Sequence, residues 1–334
     1  MKHLPTNRTR VLLARLGALL VLLAPLQIAA QGKVTEAYPP ISVPVQAKRL
    51  DNTNAYYILG KSGVPGPANE GMTSNGGFVV TDDGVVVFDA LGTPSLAAAM
   101  IEEIRKVTDQ PIRYVVVSHY HADHIYGLQA FRDHSQAKII AHELAQQYVE
   151  SADASGRLAQ RREALAPWIN EQTRLIGPDQ TFADKLTLEL GGSRITLLYV
   201  GPAHGPDDIL MVVEPAGVLY AGDIVQTGRV PFLNTPDANT ERWLENLETV
   251  KKMSPKYIVP GHGQVSNKAV ADLDFTIRYI NFVRGQMKQA VESWVPFEDA
   301  YEQIDWSEYK DLPAFEESNK GNAYRVYLEL ENSL

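Results

Sequence analysis

Cysteine is absent from all 334 residues, which removes disulfides, thiol nucleophiles and thiolate metal ligands together. Any metal must therefore be held by His, Asp or Glu. A basic excess is missing too: 31 Lys and Arg stand against 40 Asp and Glu, a net charge of -9. Nucleic acid wants a basic face, so no nucleic-acid partner is expected. Nor is the composition that of a disordered chain, with 45% hydrophobic and 21% charged residues. This length suits one large domain or two small ones. No short-period repeat is evident, which argues against a solenoid.

The first thirty residues read as an address. Lys2, Arg8, Arg10 and Arg15 flank an apolar run that is uninterrupted from Leu16 to Pro25, and small residues follow at Ala29-Ala30. A positive start, a short apolar core and a small-residue end describe a secretory signal peptide, cut after Ala30. The run is short for a span of about 20 residues, and Pro25 interrupts it, so a lasting membrane anchor is the weaker reading. Arg8 and Arg10 are separated by Thr9, which leaves Sec-type export rather than a twin-arginine route. Removing residues 1–30 with their four basic residues takes the net charge from -9 to about -13. A periplasmic or secreted protein, free of stable membrane insertion, is expected.

Residues 31–54 are Pro-rich and form an extended lead-in. Strands are expected at 55–59, 78–80, 85–88, 112–117 and 137–140, with a tight turn at Asp82-Asp83-Gly84 and a helix over 94–107. A short helix is expected over 125–131 and a long helix-prone stretch over 143–176, broken near Gly156 and Pro167. A second set of strands follows at 185–190, 194–200, 209–213, 218–220 and 257–259. Helices are expected at 239–253 and 267–292 and through the tail from Phe297. Strand-rich blocks and helices thus occur twice. That pattern predicts an α/β protein in which two sheets pack face to face with helices outside, an αββα sandwich. The expected domain runs over 55–265, with a helical C-terminal extension at 266–334.

One stretch carries chemistry. An apolar strand delivers Ser118-His119-Tyr120-His121-Ala122-Asp123-His124 into a loop. Histidines at i and i+2 on extended backbone point the same way, so His119 and His121 can grip one metal together. Asp123 and His124 lie just beyond, where the chain turns, and can face a second metal. His204, Asp223 and His262 each follow a predicted strand end in a glycine-containing turn. Four ligand-type residues within six positions make metal binding the sharp reading. Apart from His3 in the leading segment, the remaining His134 and His142 are expected on the surface or at helix caps. Ser118 is expected simply to end its strand, and no convincing Ser–His–Asp set competes. Asp207 and Asp208 are candidates to steady a ligating imidazole. Met72, in the loop 61–77, is a candidate to face substrate, that loop being either a substrate cover or an ordinary surface loop. Phe232, Trp243 and Tyr126 are candidates for a pocket wall or for plain core.

The pattern HxHxDH at His119, His121, Asp123 and His124, with His204, Asp223 and His262, resembles the metallo-β-lactamase superfamily over about residues 55–265. The resemblance implies the αββα fold and two zinc ions per chain. One would take His119, His121 and His204. The other would take Asp123, His124 and His262, with Asp223 bridging. It further implies a hydrolase of a small-molecule lactam, lactone, ester or thioester, in which zinc activates water and Asp123 orients it as the catalytic carboxylate. The commonest zinc β-lactamases have cysteine where Asp223 stands and a lysine three residues later, where this chain has Gln226. The bridging aspartate instead resembles glyoxalase II and lactonase relatives. A zinc-dependent dehalogenase of activated aromatic halides, an iron-dependent redox member of the same fold and a non-catalytic zinc-binding module are the alternatives.

Overall fold

The computed structural model describes residues 32–333; the expected signal peptide lies outside the described residues. A short 3-10 turn at Val34–Ala37 leads into β1 (Ala47–Arg49), β2 (Ala55–Ile58), β3 (Gly76–Thr81) and β4 (Gly84–Phe88). Helix α1 (Pro94–Val107) follows, then β5 (Ile112–Val116), α2 (Ala122–Ile125), α3 (Leu128–His134) and β6 (Lys138–His142). Next come α4 (Leu144–Val149), α5 (Ala152–Ala164) and β7 (Gln180–Phe182). The second half holds β8 (Lys185–Leu190), β9 (Ser193–Tyr199), β10 (Ile209–Glu214), β11 (Val218–Gln226), α6 (Thr240–Met253) and β12 (Tyr257–His262). It ends with α7 (Ala269–Glu292), α8 (Phe297–Gln303) and α9 (Phe315–Glu331).

The strands form two sheets, one in the order β1 to β7 and the other in the order β12-β11-β10-β9-β8. Alternation along the strands builds the layers. Val86, Phe88, Val116 and Ile140 of the first sheet pack against Ile195, Met211, Val213, Tyr220 and Val259 of the second. Their neighbours Val85, Val87, Val115 and Val117 face the other way, into α1 and α3. The outer face of the second sheet is covered by α6, α7 and α9, with Trp243, Leu247, Tyr279, Ile280 and Val326 in that core. The chain is thus an αββα sandwich, and its central strands are apolar on both faces because both faces are buried.

Helix α1 occupies the expected span: Thr93 caps it by accepting from the Leu96 amide, and Pro94 sits in the first turn. Other boundaries moved. The 143–176 stretch breaks at Glu150-Ser151 rather than at Gly156, because the Ser151 side chain accepts from the Ala154 amide and starts α5 there. The tail is two helices with a non-helical segment over 304–314. β7 has no counterpart among the expected strands, and β1 gives the lead-in a place at the sheet edge.

The C-terminal helices also hold a loop of the second sheet. The Asn322 side chain, fully buried, accepts from the Leu233 amide at 2.8 Å and donates to the Pro231 carbonyl at 2.7 Å and the Tyr279 hydroxyl at 2.8 Å. The Val230 amide donates to the Pro313 carbonyl at 3.0 Å. Asn322→Ala leaves these buried groups without partners and should destabilise the protein by about 1–3 kcal/mol, read from denaturant midpoints. A loss below about 0.5 kcal/mol, the ordinary surface range, would show that α9 does not clamp this loop.

Candidate metal centre

The seven expected residues meet at one end of the sandwich. His119 and His121 lie in the loop after β5, Asp123 and His124 on α2, and His204 between β9 and β10. Asp223 and His262 were expected past strand ends. They instead lie within β11 and at the last residue of β12, because β11 continues through a register irregularity at Gly222. Gly222 has φ +50°, and a Cβ there would press on Ser118; a Cβ on Gly261 would overlap the Asp223 carboxylate. Glycine at both positions lets the two strands approach the His-rich loop.

Two donor sets form. His119 Nε2 and His204 Nε2 lie 3.0 and 2.8 Å from His121 Nδ1. On the other side, His262 Nε2 is 3.4 Å from Asp123 Oδ2 and 3.2 Å from Asp223 Oδ2, while His124 Nε2 is 3.3 Å from Asp223 Oδ1. Three overlapping groups, His119/His121/His204, His119/His124/Asp223 and Asp123/His124/His262, each offer ligand atoms within 4.8 Å of one another.

The outer ring nitrogens decide which atoms face inward. His204 Nδ1 donates to the Phe232 carbonyl at 2.9 Å, and His262 Nδ1 to the Thr73 carbonyl at 2.8 Å. His124 Nδ1 donates to Asp89 Oδ2 at 2.8 Å. The Ser118 hydroxyl donates to Asp89 Oδ2 at 2.9 Å and so accepts from His119 Nδ1 at 2.9 Å. Each outer partner accepts a proton, so the neutral form of each of these rings turns its Nε2 lone pair inward. Four inward-facing nitrogens and two carboxylates therefore converge. His124 Nε2 and Asp223 Oδ1 are buried with no hydrogen-bond partner, which a divalent cation would supply. The residues fit a metal.

Electrostatics agree for most of that donor set; His124 is the exception, held well above the usual imidazole range, against its burial, by Asp89, Asp223 and Asp123. Burial, reinforced by His124 and His121, holds His119 well below the usual imidazole range. Burial with His204 lowers His121 to about 3. Burial would raise Asp123, but His124 and His262 bring it down to about 2, so it is ionised at neutral pH. Asp223 is likewise held well below the carboxylate range by His262, His124 and His204, against its burial.

Asp89, which sequence reading missed, is the hub beneath this layer. It accepts from the Ser118 amide at 2.8 Å, the Ser118 hydroxyl and His124. Ser118 therefore does more than end a strand. Thr73 also went unnoticed: its hydroxyl donates to Asp123 Oδ2 at 3.0 Å and its carbonyl fixes His262. The only sequence signal for these contacts was the Thr-Ser-Asn run closing the glycine-rich loop. That loop thus touches the centre with 73–75, whereas Met72 is 2% exposed and packed in the first core, away from any substrate role.

Asp208 accepts from the Gly205 amide at 2.7 Å, and its other oxygen stays 3.9 Å from His119 Nδ1, too far for a hydrogen bond. Asp207 accepts from the Tyr120 amide at 3.0 Å and pins the loop backbone rather than an imidazole. Trp243 is core, donating to the Ile224 carbonyl at 2.9 Å, while half-buried Phe232 has its ring 6.1 Å from that of His204. Tyr126 is buried and lines a narrow cleft beside Asp123. His134 is exposed as expected, but His142 is buried, stacked on Tyr199 at 3.9 Å between ring centres. Gln226 is buried, its Oε1 accepting from the Phe232 amide at 3.2 Å.

A sequence model of the metallo-beta-lactamase superfamily matches residues 70–262. This chain belongs to that superfamily, a group of hydrolytic metalloenzymes, and carries its metal-binding His/Asp groups. It is 26% identical over 216 residues to a linear primary-alkylsulfatase of a Pseudomonas species, covering 56% of this chain and 41% of the alkylsulfatase. It is 25% identical over 206 residues to the type 2 metallo-beta-lactamase of Bacillus cereus, covering 61% of this chain and 72% of the lactamase. Among solved structures, the metallo-beta-lactamase of Pontibacter korlensis superposes with a TM-score of 0.56 at 19% identity, over 71% of this chain and 99% of that one. That likeness shows the fold.

Asp89→Ala removes the acceptor that orients His124 and Ser118. Metal affinity, measured by chelator competition, should fall about 10–100-fold; an unchanged affinity would show that Asp89 does not orient the ligands.

Proposed function

We propose that this chain is an exported dinuclear zinc hydrolase that opens a lactam, lactone, ester or thioester of a small molecule. The observation that carries the reading is the pair of donor sets linked through His119, His124 and Asp223, in which His124 Nε2 and Asp223 Oδ1 are buried without a hydrogen-bond partner. His119, His121 and His204 would hold one cation, and Asp123, His124 and His262 the other, with Asp223 between. Zinc held there supplies Lewis acidity and lowers the pKa of water toward neutrality.

The chain's own groups do the positioning. Asp123 is ionised, its side chain is 18% exposed against 4% for Asp223, and Thr73 fixes its Oδ2. It is the carboxylate of the pair open to the cleft, so it orients an attacking water and accepts its proton at Oδ1 or Oδ2. The carbonyls of Phe232 and Thr73 and the Asp89 carboxylate keep the imidazoles from rotating. A side-chain nucleophile is not required. Export is supported by the charged-then-apolar pattern of residues 1–30; among the described residues no helix is long and apolar enough to cross a membrane.

The zinc-loaded protein should hydrolyse at least one of a chromogenic cephalosporin, an aryl ester and an aryl thioester. Asp123→Asn should lower kcat about 100-fold or more, the size of a lost general base. Absence of turnover on all three from fully metallated protein would overturn the hydrolase reading. Iron rather than zinc on elemental analysis of the purified protein would favour the redox alternative.

A further inference from the structure

Glu70 is a buried acid that the hydrolytic reading leaves unused. It is 5% exposed, and among the described residues it enters no ion pair. Its hydrogen bonds all come from the lead-in. The Ser42 amide donates to Oε1 and Oε2 at 3.0 and 2.9 Å, the Val43 amide to Oε2 at 3.3 Å, and the Ser42 hydroxyl to Oε1. A carboxylate can leave water when several N–H and O–H donors take its place. Glu70 also has φ +54°, in the left-handed region that few residues other than Gly, Asn and Asp occupy. Such a conformation persists only where the surroundings hold it. The lead-in that holds it is itself built into the fold. Val34, Val43 and Val45 pack in the first core, the Val34 amide donates to Glu102 Oε1 at 2.7 Å, and Trp168 Nε1 donates to the Pro40 carbonyl at 2.9 Å. The superfamily match begins only at residue 70, so this strap lies outside it.

The latch is one short turn away from the metal centre, and that turn has little slack. The Met72 amide donates to the Asn69 carbonyl at 2.8 Å, the Gly71 amide to Asn69 Oδ1 at 3.1 Å, and the Thr73 amide to the Gly71 carbonyl at 3.0 Å. The Gly71 carbonyl lies against Gly92, where an added Cβ would strike it and press on Asp123 Cα. At the end of the turn, the Thr73 hydroxyl donates to Asp123 Oδ2 and the Thr73 carbonyl accepts from His262 Nδ1. The Ser74 hydroxyl donates to the Asp123 carbonyl. These bonds all fall on the Asp123/His124/His262 set. His121 and His204 receive none of them.

We propose that Glu70 is a positioning residue of the metal centre, fastening the lead-in to the turn 70–73 so that Thr73 holds Asp123 and His262 in place for one of the two cations. The two cations come from the hydrolase reading; the latch rests on the chain's own hydrogen bonds.

The test compares full-length wild type with Glu70→Gln, Ser42→Ala and Glu102→Gln by two readouts. Zinc is titrated into metal-stripped protein, and amide hydrogen exchange is followed over residues 71–75 without metal. Glu70→Gln replaces one acceptor oxygen by an NH2 group that faces N–H donors. It should weaken one zinc equivalent about tenfold, the low end for a group behind a ligand, and leave the other unchanged. Exchange of the Met72 and Thr73 amides should quicken. Ser42→Ala removes the hydroxyl bond alone and should weaken the same equivalent about threefold, the size of one ordinary hydrogen bond. It carries the comparison if Glu70→Gln does not fold. Glu102→Gln loosens the lead-in at α1 but not at the turn, and should leave both equivalents within about twofold of wild type. Equal weakening of both equivalents in Glu70→Gln and Ser42→Ala would assign the latch a purely structural role and overturn the proposal. So would zinc binding and exchange that both match wild type. If wild type binds a single equivalent, the two-cation reading fails on its own. Exchange then decides the latch: quicker in Glu70→Gln upholds it, and unchanged overturns it.

Discussion

A buried carboxylate under a layer of imidazoles is the constraint on which the centre depends. Asp89 sits just past β4 with φ +60°, a left-handed conformation that aspartate tolerates better than most residues. From there it receives the Ser118 amide, the Ser118 hydroxyl and His124 Nδ1. Those three bonds orient His119 and His124 so that Nδ1 of each faces outward and Nε2 faces the other donors. The main chain around it is tied to the same loop, since the Ala90 amide donates to the His124 carbonyl at 2.9 Å and the Gly127 amide to the Leu91 carbonyl at 3.1 Å. Fold and ligand geometry are therefore one hydrogen-bonded unit.

The sandwich explains why these groups meet. The first sheet delivers His119 to His124 from the end of β5, and the second delivers His204, Asp223 and His262 from β9, β11 and β12. Their shared core, with Phe88 and Tyr220 rings 5.4 Å apart, holds the two halves in register. The loop 59–75 crosses between them. Asn75 donates to the carbonyls of Pro260 and Gly263 at 2.8 and 2.9 Å, binding a first-sheet loop to the end of β12. Helices α7 and α9 then stabilise the far wall of the site through Tyr279 and Asn322.

Most of the architecture was legible because hydrophobic alternation and turn glycines are local signals. The α1 boundaries, the tight turn at Asp82-Asp83-Gly84 and the doubled strand pattern all come from short windows of sequence. The seven donors were legible for a related reason: ligand chemistry restricts residue type, and four of the seven are clustered. What sequence could not show was which side chains support them. Asp89 lies 35 residues from His124, and Thr73 lies 189 from His262; only folding makes them neighbours. The same limit misled the reading of Met72, whose loop context suggested substrate and whose side chain is core. Asp207 and Asp208 drew attention by proximity to His204, but a backbone amide took one oxygen of each. Strand ends were also underestimated at Asp223 and His262, since a bulge at Gly222 lets pairing continue where a turn was expected.

Equilibrium titration of metal-stripped protein with zinc tests the central claim most directly. Five imidazoles and two carboxylates in overlapping sets predict two tightly bound equivalents, with His204→Ala and His262→Ala each weakening a different one. Binding of less than one equivalent, or the same single equivalent lost in both variants, would contradict a two-cation centre built from these seven side chains.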